Sequence, residues 1–90
     1  MERAFVKRGR LKIVYEILRI CRKPSGKTNI LYKCNLSFHQ LQKYLEYLAS
    51  HGLISSFKNN QKDFYQITDK GKEFLEAYER LNGFLESDSL

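Results

Sequence analysis

Tryptophan is absent from this 90-residue chain, proline occurs once, cysteine twice and glycine five times. Without tryptophan, the core has to be built from Leu, Ile and the rings of six Phe and six Tyr. Two cysteines are too few for a disulfide scaffold, since secreted domains of this size usually carry four or more. Cys21 and Cys34 form no CxxC pair and lie among apolar residues, which points to buried thiols. The glycines make no phosphate-cradling run, and no nucleophile sits in a recognisable base context, so the chain does not read as an enzyme. The most apolar stretch, Leu11 to Cys21, is broken by Lys12, Glu16 and Arg19. It falls far short of the roughly 20 residues of a membrane helix, and no signal peptide is evident. The expected setting is therefore cytoplasmic and away from any membrane. No cofactor or small-molecule ligand is implied.

What is abundant is positive charge. Lys and Arg number 16 against 10 Asp and Glu, a net charge of +6. Placement says more than the total. Residues 1–23 carry a net +6, residues 24–52 and 53–72 carry +2 each, and residues 73–90 carry −4. A body near +10 with an acidic tail suits a polyanion that avoids the last segment, because phosphate contacts need Lys and Arg within reach. With 42% apolar and 29% charged residues, the chain has the composition of one small folded domain.

Apolar residues at steps of three and four from Leu11 through Val14 and Leu18 to Cys21 predict a first helix, ending before Pro24. Thr28 or Asn29 can cap a short second helix through Ile30, Leu31 and Cys34, with Asn35-Leu36 as the break. Ser37 and Gln40 have the spacing of a capping box and open a third helix that ends at His51, with Gly52 free to take the left-handed cap conformation. Leu53–Phe57 and Phe64–Ile67 are β-prone runs around the polar stretch 58–63, which reads as a hairpin with a loose tip. Thr68 or Asp69 caps a last helix whose Phe74, Tyr78, Leu81 and Leu85 form a seam. The fold class expected is α+β, mainly α: a winged helix-turn-helix of three helices, a β-hairpin wing and a C-terminal helix. Its parts are a basic N-terminal arm at 1–9, the winged domain at 10–72, and a dimerisation helix and tail at 73–90.

The runs Ile30–Leu45, Gly52-Leu53-Ile54 and Tyr65–Leu75 resemble small archaeal winged-helix DNA-binding proteins, in style the 10 kDa chromatin-associated proteins of the 10a type. The likeness spans roughly residues 10 to 82. It implies a winged-helix homodimer joined by an antiparallel coiled coil of the last helices. Gly83 interrupts that seam and departs from the pattern.

If Leu41, Leu45 and Leu48 face the core, then His39, Gln42, Lys43 and Glu46 face outward. Such a face suits the major groove: Gln pairs with adenine, and Lys and His donate to guanine. Ser37 and Gln40 stand at the helix start, where free amides favour a phosphate. Lys58, Asn60 and Lys62 would let the wing follow a phosphate backbone or reach the minor groove. Arg8 and Arg10, with Arg3 and Lys7, make a basic arm. Phe57 and Phe64 read as a cross-strand pair. Zinc held by His39, His51, Cys21 and Cys34 is disfavoured by spacing. The expected activity is double-stranded DNA binding, as a transcriptional regulator or a nucleoid-associated chromatin architectural protein. The alternative is a winged-helix protein-interaction module without DNA binding, since Glu46 on the reading face repels phosphates.

Overall fold

The computed structural model of the protein describes residues 9–87, with side chains placed through Phe84. The elements run α1 (Arg10–Ile20), β1 (Ser25–Gly26), α2 (Lys27–Cys34), α3 (Phe38–Ser50), β2 (Ile54–Asn59), β3 (Lys62–Ile67) and α4 (Asp69–Ser87). Three antiparallel strands lie in the order β1-β3-β2, with β3 in the centre. This is the winged helix-turn-helix fold: α2 and α3 joined by a tight turn, followed by the β2–β3 hairpin.

Local chemistry sets most of the boundaries. Asn35 ends α2 in the left-handed region, at φ 55°, a conformation Asn tolerates better than most residues. The Ser37–Gln40 capping box forms with both bonds: the Gln40 amide donates to Ser37 Oγ at 3.1 Å, and the Ser37 amide donates to Gln40 Oε1 at 3.0 Å. Gly52 closes the far end of α3 at φ 73°. Thr68 caps α4, its hydroxyl accepting from the Gly71 amide at 3.0 Å while donating to the Gly52 carbonyl at 2.6 Å.

Several expectations are corrected. The cap of α2 is Gly26 rather than Thr28 or Asn29, and no side chain bonds there. Leu11 is 61% exposed; the buried face of α1 is Ile13, Val14, Ile17 and Leu18, continued by Cys21. Arg10 opens α1 instead of preceding it. The hairpin tip is not loose. Strand pairing runs out to Asn59↔Lys62, leaving only Asn60 and Gln61 in the turn, at φ 52° and 65°. Two consecutive left-handed residues match the twist of the strands, as in a type I′ turn. Strand β1 is an addition. Ser25 pairs with Tyr65 and Gly26 with Phe64, and just before the strand the Ile67 amide donates to the Cys21 carbonyl at 2.8 Å.

The core gathers α1, α2, α3, the sheet and the first half of α4. Ile17, Leu18, Ile30, Leu41, Leu48 and Leu75 are fully buried, each side chain contributing on the order of 2 kcal/mol through apolar area removed from water. Cys21 and Cys34 are both fully buried thiols outside any disulfide. Burial, with a smaller contribution from Cys34, pushes the Cys21 thiol up to about 12. Leu75 ties α4 into this core, Phe74 packs on its edge, and Tyr78 stacks on Tyr15 of α1 at 4.6 Å between ring centroids. No helix among the described residues is long and apolar enough to cross a membrane.

Candidate nucleic-acid interface

Helix α3 presents the side chains named from the sequence, and each has a different freedom. Leu41, Leu45 and Leu48 are buried, which turns His39, Lys43 and Glu46 outward into solvent. Gln42 is half-buried and already engaged. Its Oε1 accepts from Lys27 Nζ at 2.7 Å, and its Nε2 donates to Glu46 Oε2 at 3.0 Å. The amide is therefore oriented before any ligand arrives. Ser37 and Gln40 spend their side chains on the capping box, so what they offer a phosphate is the exposed first turn of α3 and its positive dipole end.

Nothing in the sequence distinguishes Lys27, one lysine after Pro24, Ser25 and Gly26. The structure puts it at the first residue of α2, bonded to Gln42 and lying 5.3 Å from the centroid of the exposed Phe38 ring. Only the packing of α2 across α3 brings these three together. No local pattern announces it.

The wing contributes Lys58, Asn60 and Lys62, all exposed. Lys58 pairs with Asp63 across the hairpin at 3.0 Å with both side chains well exposed, an ion pair worth little to stability. Lys62 faces a different neighbour. A groove of about 380 Å³ separates the wing from α2, with Lys62 on one wall and Lys27 and Thr28 on the other. Behind the wing, Phe57 and Phe64 pair across the strands at 5.9 Å, as their spacing foretold. Tyr65, on the inner face of β3, has its phenol raised above the usual range by burial first, then by Asp63 and Cys21.

Arg10 meets α3 from the other side. It lines a groove of about 360 Å³ with Lys43 and Tyr47, so these two cations flank one hollow. Arg8 lies outside the described residues. On α4, Phe74 and Tyr78 turn toward their own domain, whereas Leu81 and Phe84 are 64% and 72% exposed. Leu85 falls on the α4 backbone with its side chain outside the described set. His51 contacts the Tyr47 carbonyl at 2.9 Å at the end of α3. No cluster of three or more metal-ligating side chains occurs among the described residues.

A short strand before a helix pair, a polar network on the second helix of that pair and a tight two-stranded wing define a protein of the winged helix-turn-helix class. The chain belongs to the winged helix-turn-helix family, whose model matches residues 7–86. Among solved structures it is similar to Sso10a-2, a DNA-binding protein from Sulfolobus solfataricus, with a TM-score of 0.81 and 31% identity over 89% of this chain and 84% of that one. It is also 33% identical over 72 residues to the uncharacterised protein MJ0287 of Methanocaldococcus jannaschii, covering 79% of this chain and 70% of that protein. An S. aureus MepR variant bound to an oligodeoxyribonucleotide shares the fold, with a TM-score of 0.72 and 14% identity over 87% of this chain and 59% of that one.

Proposed function

We propose that the chain binds double-stranded DNA as a winged-helix homodimer, acting as a transcriptional regulator or as a nucleoid-associated architectural protein. The observation that carries this reading is the open outer face of α3, where exposed His39 and Lys43 stand beside the pre-oriented Gln42. Lys27 and Lys62 line one flanking groove and Arg10 the other. Helix α3 enters the major groove, with Lys43 and His39 toward bases or phosphates and Gln42 toward adenine. Glu46 is compatible with this role through the amino group of cytosine. Asn60, Lys58 and Lys62 follow the adjoining backbone, and Arg8 extends the contact from the arm at 1–9. The similarity to Sso10a-2, itself a DNA-binding protein, supports the assignment.

In the same reading, residues 10–72 carry the DNA surface and residues 73–90 the dimer. Leu81, Phe84 and Leu85 supply the intermolecular seam, while Phe74 and Tyr78 brace it from within each protomer. Residues 73–90 carry a net −4 and are kept away from phosphates.

Fluorescence anisotropy of a labelled duplex against salt tests the reading. Affinity should fall steeply with salt, and Lys43→Ala should lower the log–log slope by about one unit if Lys43 meets a phosphate. Absence of duplex binding near 50 mM salt would falsify it. Selection from a random duplex pool separates the two roles, an enriched palindrome marking a regulator and an unselected pool an architectural protein. Sedimentation of Leu81→Glu should show a monomer where the parent chain is a dimer. The exposed Leu81 and Phe84 also favour a second reading, a protein-docking module, which a stable protein partner without DNA binding would support.

A further inference from the structure

A second basic surface lies outside the α3 face. Between the C-terminal end of α1, the turn into β1 and the flank of α2 runs an open groove of about 770 Å³. Arg19, Arg22, Lys23 and Lys33 line it, and Glu16 is the one carboxylate on its walls. Arg22, Lys23 and Lys33 make no ion pair or side-chain hydrogen bond among the described residues.

The turn that carries Arg22 and Lys23 is braced rather than loose. The buried Ser25 hydroxyl lies 3.0 Å from the Lys23 carbonyl and 3.2 Å from the Ile20 carbonyl, donating to one at a time. The Cys21 carbonyl is held by the Ile67 amide. Cations on a fixed backbone lose less conformational entropy when they meet a ligand.

Position decides which polyanion fits. The groove adjoins the one between α2 and the wing, because Asn29 lines both. Yet it recedes from the wing tip. The turn lies beside Tyr65 to Ile67, roughly 17–24 Å of strand back from Asn60 at about 3.4 Å per residue. A duplex that rests on α3 and the tip meets the groove by curving around the α2 edge, its backbone then passing from Lys62 and Lys27 by way of Asn29 to Lys33, Arg22 and Lys23.

We propose that this groove binds the phosphate backbone flanking the site read by α3, holding a curved duplex against the side of the domain. The inference rests on DNA binding by α3. It adds a contact that needs a longer duplex, and with it a bend whose cost depends on the flanking sequence.

The test uses the full chain and the triple variant Arg22→Gln, Lys23→Gln, Lys33→Gln, all exposed positions, with retained fold checked by circular dichroism. Anisotropy against salt is measured on duplexes of about 12 and about 30 base pairs. Each cation that meets a phosphate adds about 0.9 to the log–log slope. The expected result is equal slopes for parent and variant on the short duplex, and a slope smaller by about 2–3 for the variant on the long one. That difference is per domain, and it doubles to about 5 where both domains of a dimer engage the long duplex. Energy transfer between duplex ends should rise on binding the parent and much less on binding the variant. Parent and variant indistinguishable on the long duplex, or equally different on both lengths, overturns the inference while leaving α3 binding intact. Energy transfer between two separately labelled short duplexes that the parent gives and the triple variant loses assigns the groove to a second duplex and likewise overturns the curved path. No binding of either duplex by the parent removes the α3 reading and this inference together.

Discussion

Gly71 stands where α4 crosses the start of β2, and its replacement by alanine reverses the usual sign of a helix substitution. In an exposed helix interior Gly→Ala gains about 1 kcal/mol. Here an added Cβ would lie 2.6 Å from Ile67 Cγ1 and 3.2 Å from the Leu53 carbonyl carbon, and closer still to its oxygen. The nearest obstacle is backbone, so α4 has to move outward by something near 1 Å. Two bonds are strained by that movement: the Thr68 amide to the Leu53 carbonyl at 3.1 Å and the Thr68 hydroxyl to the Gly52 carbonyl. Overpacking costs about 1–3 kcal/mol and each weakened hydrogen bond about 1 kcal/mol, against the propensity gain, so Gly71→Ala should lose roughly 2–4 kcal/mol. A domain of this size holds only about 5–13 kcal/mol, so the loss is large. Gly83 is the internal control, since a Cβ there meets nothing within 4 Å. Gly83→Ala should gain up to about 1 kcal/mol. Urea unfolding followed by helical circular dichroism measures both. A Gly71→Ala protein as stable as the parent, or two glycine variants shifting the same way, refutes the argument that α4 is docked by a backbone contact at Gly71.

Two further outcomes are expected. Gln61 holds φ 65° without the ease of Gly or Asn, so Gln61→Gly, which creates the Asn-Gly pair favoured in type I′ turns, should stabilise the wing by about 0.5–1 kcal/mol, read as a higher urea midpoint; a lower midpoint contradicts the turn assignment. The Cys21 thiol, raised by burial, is ionised in only about one molecule in 10⁴ at pH 8, so native protein should resist a thiol reagent that labels the unfolded chain readily, and stability should decline as pH climbs above about 9 toward 12, because the unfolded chain releases this proton first. Prompt labelling of Cys21 in the folded protein at pH 8 would contradict its burial.

Legibility in the sequence followed the range of the interactions. The third helix was readable at both ends because Ser37, Gln40 and Gly52 act on backbone groups within a few residues of themselves. The Phe57–Phe64 pair was readable because a hairpin fixes its own register. The tight turn was not, because Asn60-Gln61 is poor turn chemistry by itself, and pairing of Lys58 with Asp63 and Asn59 with Lys62 draws the strands together around it. Strand β1 was invisible for a related reason: two residues carry no periodicity, and Ser25-Gly26 is a strand only because β3 lies beside it.

The sequence by itself determined the order of the four helices and the hairpin, the inward leucines of α3 and the segregation of charge between a basic body and an acidic tail, since each depends on residue type and on the 3.6- and 2-residue periods. Tertiary structure alone decided which cations stand together. Lys27 reaches Gln42, Arg10 shares a hollow with Lys43, and Arg22, Lys23 and Lys33 line one groove because α1, α2 and β3 converge around a common core. It also divided the apolar stripe of α4, turning Phe74 and Tyr78 inward and leaving Leu81 and Phe84 in solvent. A periodic pattern states that a face is apolar. What covers that face depends on the elements folded against it, which no local spacing contains.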